Sequence, residues 1–189
     1  MIFKEQTKSI PITKEMVWEA YKKVKSNKGG AGIDQQTLSE FDSVRSKELY
    51  KVWNRLASGS YFVPAVKRVN IPKGGGKTRP LGIPTVSDRV AQQVVKQYLE
   101  PRLESIFSEN SYGYRPKRNA HTAIEIVRKN VLRYSWVIDL DIQEFFENVD
   151  HSLLLKALSF YAGFACTFYH QNLSKCDTMV FYPTEEKKN

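Results

Sequence analysis

A chain of 189 residues with 41% hydrophobic content is long enough to bury a core and too apolar to be disordered throughout. Its 29 lysines and arginines against 20 aspartates and glutamates leave a net charge of +9, which favours a polyanionic partner and excludes an acidic protein. Two cysteines set up no disulfide framework, no apolar run is long enough to span a membrane, and MIFKEQTKSIPITKE has no apolar signal core, so the expected location is the cytoplasm with no membrane partner.

In chain order, Thr13 is placed to cap a helix over about residues 14–27, with Val17, Tyr21 and Val24 on one face and Gly29-Gly30 ending it. After the loop AGIDQQT, Leu49, Val52, Trp53 and Leu56 recur at helical spacing until Ser58-Gly59. The character then changes. Val66–Ile71 and Thr78–Ile83 read as two strands joined by KGGGK, with Pro72, Pro80 and Pro84 restricting them to edge or irregular positions. Ser87 or Asp88 is expected to cap a long helix that turns Val90, Val94, Val95 and Tyr98 inward and is kinked or broken at Pro101. The loop SENSYGYRPKRN leads to a helix over about 120–132 with Ile124, Val127 and Val131 on one face. WVIDLDI alternates as a strand does, and Asp150 should cap the helix containing HSLLLKAL.

The cations fall in clusters: Lys22, Lys23, Lys25 and Lys28; Lys67, Arg68, Lys73, Lys77 and Arg79; Arg115, Lys117 and Arg118; Arg128, Lys129 and Arg133. Tyr61, Phe62, Tyr112 and Tyr114 lie among them, a mixture suited to phosphate pairing and base stacking. KGGGKT ends like a nucleotide-binding P-loop, but Ile71 occupies the position of the required first glycine and Arg79-Pro80 follows where a helix must open. What remains is a flexible turn flanked by Lys73, Lys77 and Arg79, which is either a solvated basic hairpin or one that closes over phosphates. Cys166, His170 and Cys176 give three ligands where a structural zinc takes four, and His121 and His151 sit at ordinary helix starts. Asp139 and Asp141 share one strand face, which is either the wet face of a half-buried strand or a carboxylate floor for a metal.

Taken in order, YFVPAVKRVNIPKGGGKTRPLGIPTVSDRVAQQVV, LEP, FSENSYGYRPKRNAHTAI and WVIDLDIQEFFENVDHSLL closely resemble the reverse transcriptases encoded by group II introns, also called intron maturases. AYKKVKSNKGGAGIDQQT looks like the N-terminal extension of those enzymes, so the resemblance runs from about Glu15 to Leu158. It implies an α+β fold: a helical extension over 1–60, fingers with a small antiparallel hairpin sheet over 61–135, the start of the palm over 136–162, and a divergent tail over 163–189. The family motif of an aspartate, an apolar residue, two variable residues and two aromatics matches Asp141 to Phe146. The resemblance therefore implies Asp141 as the catalytic carboxylate and magnesium ligand, with the Ile142 carbonyl beside it, and Phe146 under the sugar of the incoming nucleotide. A hard cation suits these oxygen ligands. Lys73 and Arg79 match the fingertip cations on the triphosphate, Lys67, Arg68, Lys77, Arg115, Lys117 and Arg118 are expected to contact nucleic acid, and Asp139 has no assigned role.

The sequence departs from the family in one large respect. It contains no Tyr-Ala-Asp-Asp or like motif to supply the second carboxylate pair, and beyond about Ala162 it is expected to diverge, as a shifted or early-ended reading frame would. The implied function is part of an RNA-directed DNA polymerase and maturase, inactive alone, with intron or template RNA and a DNA primer as partners. A split enzyme completed by a second chain, or a non-catalytic RNA-binding module, are the alternatives.

Overall fold

The computed structural model describes residues 11–143 and 145–162, without the side chains of Phe146, Glu147 and Ala162. The described residues divide into two compact units, one through Leu99 and one from Glu100 onward.

The first unit holds the core. Helix α1 spans Lys14–Ser26, and the Thr13 hydroxyl accepts from the Met16 N–H, the cap expected. The helix ends one step earlier than the glycine pair: Asn27 is its C-cap and Lys28 takes the left-handed conformation at φ 47°. A short helix not anticipated, α2, spans Leu38–Ser43. Its signal was present in the letters, because Thr37 and Glu40 cap each other's backbone in a capping box. Helix α3 spans Arg45–Ala57 and packs on both α1 and α2. Val17, Tyr21 and Val24 meet Phe41, Leu49, Val52 and Leu56 in one cluster, and Val86, Val90 and Val94 complete it. At its edge the Tyr21 hydroxyl donates to Asp42, which also receives Lys25 at 2.9 Å. Burial, then the Asp42 hydrogen bond, pushes the Tyr21 pKa up to about 12, while the hydrogen bonds from Tyr21 and Lys25 pull Asp42 down to about 2.

Strands β1 (Lys67–Lys73) and β2 (Lys77–Ile83) pair antiparallel, with Ile71 opposite Arg79 and Lys73 opposite Lys77. Gly75 and Gly76 turn the chain at φ 79° and 74°, conformations an L side chain resists. Among the described residues the pair forms a sheet of its own, so Pro72 and Pro80 cost little: each strand is an edge. Helix α4, Val86–Leu103, then begins earlier than expected. Thr85, not Ser87 or Asp88, does the capping, its hydroxyl accepting from the Asp88 N–H at 3.2 Å. Pro101 lies in the last turn of α4, which ends at Leu103.

In the second unit, α5 spans Ala120–Val131 behind a capping box of Asn119 and Thr122. A short α6 (Phe145–Asn148) precedes α7 (His151–Ala162), whose first N–H groups are capped by Asp150 as expected. The apolar stripe of α5 is exposed rather than inward, with Ile124 and Val127 both in contact with solvent. The strand expected over 136–142 does not form. The segment belongs to no ladder, and Trp136, Ile138 and Leu140 are 89%, 82% and 87% exposed. Alternating side chains specify a strand only where another strand takes its backbone bonds and a layer covers its apolar face, and the described residues bring neither. With helices and one antiparallel hairpin sheet, the fold class is α+β as expected.

Candidate nucleic-acid interface

Pairs directly opposite in an antiparallel ladder project from the same face. The register therefore puts Lys73, Lys77 and Arg79 on one face of the hairpin, with Ile71 opposite Arg79 and Val69 opposite Leu81 nearer its base. All three cations are exposed, and Lys73 and Lys77 confront each other across the tip. Like charges so placed repel, and a bound phosphate would relieve them. The same alternation separates two residues that the sequence reading grouped: Lys67 shares the cationic face, and Arg68 projects from the other.

The chain segments before and after the hairpin are joined to each other. Tyr61 donates its hydroxyl to Asp88 at 2.9 Å, and Gln92 Nε2 reaches the second Asp88 oxygen at 2.8 Å. Asp88 is 1% exposed, and burial raises its pKa against the pull of these two donors.

The cluster at 115–118 behaves differently from its charge. The side chain of Arg115 is 7% exposed. Its Nε and Nη2 grip the Glu104 carboxylate at 3.1 and 2.7 Å, and Nη1 donates to the carbonyls of Ser108 and Ser111 at 2.5 and 3.0 Å. Its guanidinium also lies 5.4 Å from the Phe107 ring. Arg115 thus closes the loop between α4 and α5 and is not displayed to a ligand, a correction to its expected role. Its guanidinium in turn holds Glu104 below the usual carboxylate range. Arg118 donates to the Glu109 carbonyl and stacks on Tyr112 at 4.9 Å, whereas Lys117 is exposed at φ 60°.

Asp139 and Asp141 are both exposed, as is Ile142. Among the described residues no three histidines, cysteines, aspartates or glutamates group where they could hold a metal. Cys166, His170 and Cys176 lie outside the described residues, and so does the Phe146 side chain.

The family model for reverse transcriptase (RNA-dependent DNA polymerase) matches residues 71–182, a span that opens in β1 of the hairpin and takes in Asp141. The chain belongs to the reverse transcriptase family. Relatives point to its group II intron branch. The chain is 35% identical over 144 residues to "Group II intron-encoded protein LtrA" of Lactococcus lactis, covering 75% of this chain and 24% of that protein. It is 38% identical over 151 residues to "Protein YkfC" of Escherichia coli, covering 76% of this chain and 40% of that protein. "Nuclear intron maturase 1, mitochondrial" of Arabidopsis thaliana is 39% identical over 75 residues. The matched stretch is thus less than half of either bacterial relative. The family match also continues to residue 182, past Ala162 where the sequence reading ended the resemblance.

Reverse transcriptases use divalent metal, so the fit of Asp141 matters. Magnesium requires about six oxygens in near-ideal octahedral array. One exposed carboxylate and one neighbouring carbonyl do not meet that demand by themselves. Two residues hold positions that the sequence did not reveal, Asp88 as a buried anchor rather than the helix cap and Glu104 as the partner of Arg115. Nothing local signals either, since Tyr61 lies 27 residues before Asp88 and Arg115 lies 11 after Glu104.

Proposed function

We propose that this chain supplies the fingers and the first palm segment of an RNA-directed DNA polymerase of the group II intron type. The observation that carries the reading is the hairpin face, where Lys73, Lys77 and Arg79 converge within a stretch the family model covers. Lys73 and Arg79 are assigned to the triphosphate of an incoming nucleotide and Phe146 to its sugar. Lys67, Arg68, Lys77, Lys117 and Arg118 are assigned to the nucleic acid, with Arg115 holding their loop in shape. Asp141 with the Ile142 carbonyl is assigned to magnesium, as one contribution to a site completed by further palm carboxylates. The exposed apolar residues from Trp136 to Ile142 support that completion, because a strand and a covering layer would bury them. Those pieces would come from more of the same polypeptide or from a second chain. Taken alone, the 189 residues extend no primer.

The reading is tested by ultraviolet crosslinking of the chain to labelled single-stranded RNA, followed by peptide mapping. Crosslinks should fall on the hairpin peptide containing Lys73, Lys77 and Arg79. Crosslinks confined to peptides outside the hairpin would overturn the assignment of that face.

A further inference from the structure

The hydrogen bond from Tyr61 to Asp88 spans 27 residues and encloses the whole hairpin, since Tyr61 precedes β1 and Asp88 follows β2. Both partners are buried, and Tyr61 belongs to the core cluster together with Val86 and Val90. Asp88 is fixed twice more. Its backbone N–H donates to the Thr85 hydroxyl, and Gln92 Nε2 holds its second carboxylate oxygen at 2.8 Å. A carboxylate buried without its donors is costly, so the contact resists partial opening.

A second contact lies at the foot of the ladder. A Cβ on Gly82 would fall 3.2 Å from Cγ2 of Val66, so the valine side chain packs close against the bare glycine. Pro64 and Pro84 stiffen the two segments that lead into and out of the strands. The cations that matter stand at the other end, with Lys73 opposite Lys77 in the last pair before the turn and Arg79 two residues further on. A strand of seven residues reaches about 20 Å. A swing of about 10° at the base would carry the tip about 3.5 Å over that reach, far outside the tolerance of a charge-assisted hydrogen bond. Small displacements of this kind are costly wherever a ligand must be held in one geometry.

We propose that Asp88 and Tyr61 are positioning residues for the hairpin: their bond locks its base and so fixes the reach of Lys73 and Arg79 toward a triphosphate. The proposal rests on the triphosphate reading of that face and names what holds the face in place.

The test uses the full chain and two readouts. Backbone amide relaxation of β1 and β2 reports how firmly the hairpin is held. A titration with tripolyphosphate, followed at the amides of Gly74, Gly75 and Gly76, reports the grip of the tip. Tyr61→Phe should add motion to the strand amides while those of α1 and α3 stay rigid, and should weaken tripolyphosphate binding severalfold. Asp88→Asn keeps an oxygen toward Tyr61, and Gln92 can turn its amide to meet the new N–H, so this variant should retain rigid strands and most of the affinity. Should Tyr61→Phe unfold, Gln92→Ala removes the other donor, leaves the ring in place and should show the same motion at smaller amplitude. With Lys73, Lys77 and Arg79 already replaced by alanine, Tyr61→Phe should leave any residual phosphate binding unchanged, because the lock acts only through those side chains. Strands as rigid in Tyr61→Phe and Gln92→Ala as in the parent would overturn the lock. Added motion with unchanged tripolyphosphate affinity would overturn its bearing on the ligand. A parent chain whose tip binds no tripolyphosphate would defeat the triphosphate reading itself, and the proposal with it.

Discussion

Replacing Lys73, Lys77 and Arg79 together by alanine probes the hairpin face most sharply. Each phosphate neutralised on a single strand contributes about 0.7 to the slope of log affinity against log salt. Three cations on one exposed face therefore account for a slope of about 2.1. Over a fourfold rise in salt that slope is worth a change of about twentyfold in affinity, which the variant should lack. Loss of fold would not explain the effect. Lys73 and Lys77 sit directly opposite and repel, so removing them relieves roughly 0.2–1 kcal/mol in the hairpin. The assay is fluorescence anisotropy of a labelled single-stranded RNA at several salt concentrations, with Lys22 and Lys47 changed in a control of similar charge. If the triple variant keeps the parental slope while the control loses it, the hairpin is not the phosphate-binding face and the reasoning from register fails.

Other consequences can be checked in the same preparations. Tyr61→Phe removes one of two donors, among the described residues, to a buried carboxylate and should cost about 1.5–3 kcal/mol in urea unfolding near neutral pH. Because the folded Asp88 pKa is raised, wild-type stability should fall as pH climbs through that value, and the Tyr61→Phe penalty should shrink in acid, where Asp88 is protonated. A penalty independent of pH would show that Asp88 is not the partner that matters. Arg115→Ala should open the loop from Glu104 to Arg118 to proteolysis. Glu104 has a depressed pKa, so the protection that Arg115 confers is present above the ordinary carboxylate range and lost as pH falls through the folded value. Unchanged cleavage of that loop would refute the clasp. Magnesium should bind the isolated chain only weakly, on the order of millimolar, because the ion keeps its waters when few carboxylates are offered. Micromolar affinity lost in Asp141→Asn would show a complete site.

What the letters revealed was local. Thr13 and Asp150 could be placed as caps because the groups they satisfy lie two or three residues away. The hairpin was readable because KGGGK fixes a turn, and its register then sorted the cations without further information. Thr37 and Glu40 carried an equally local signal that went unread. Arg115 shows the opposite limit. Its charge suggested a phosphate contact, but charge carries no direction, and its partners were a carboxylate and carbonyls set by the path of the loop. Asp88 stood at a plausible capping position and was instead buried by Tyr61 and Gln92. The WVIDLDI alternation describes what the segment would do beside a neighbouring strand, so its periodicity did not predict its exposure here.

The central claim is that this chain contributes fingers and one metal-ligating carboxylate to a polymerase completed by further palm residues. Primer extension on an RNA template measures it directly. The chain alone should add no nucleotide with magnesium or manganese, and mixing with a separate polypeptide carrying the Tyr-Ala-Asp-Asp palm segment should restore extension. Asp141→Ala should then abolish that activity while Asp139→Ala leaves most of it. Robust extension by the 189-residue chain alone, or restored activity that survives Asp141→Ala, would contradict the account.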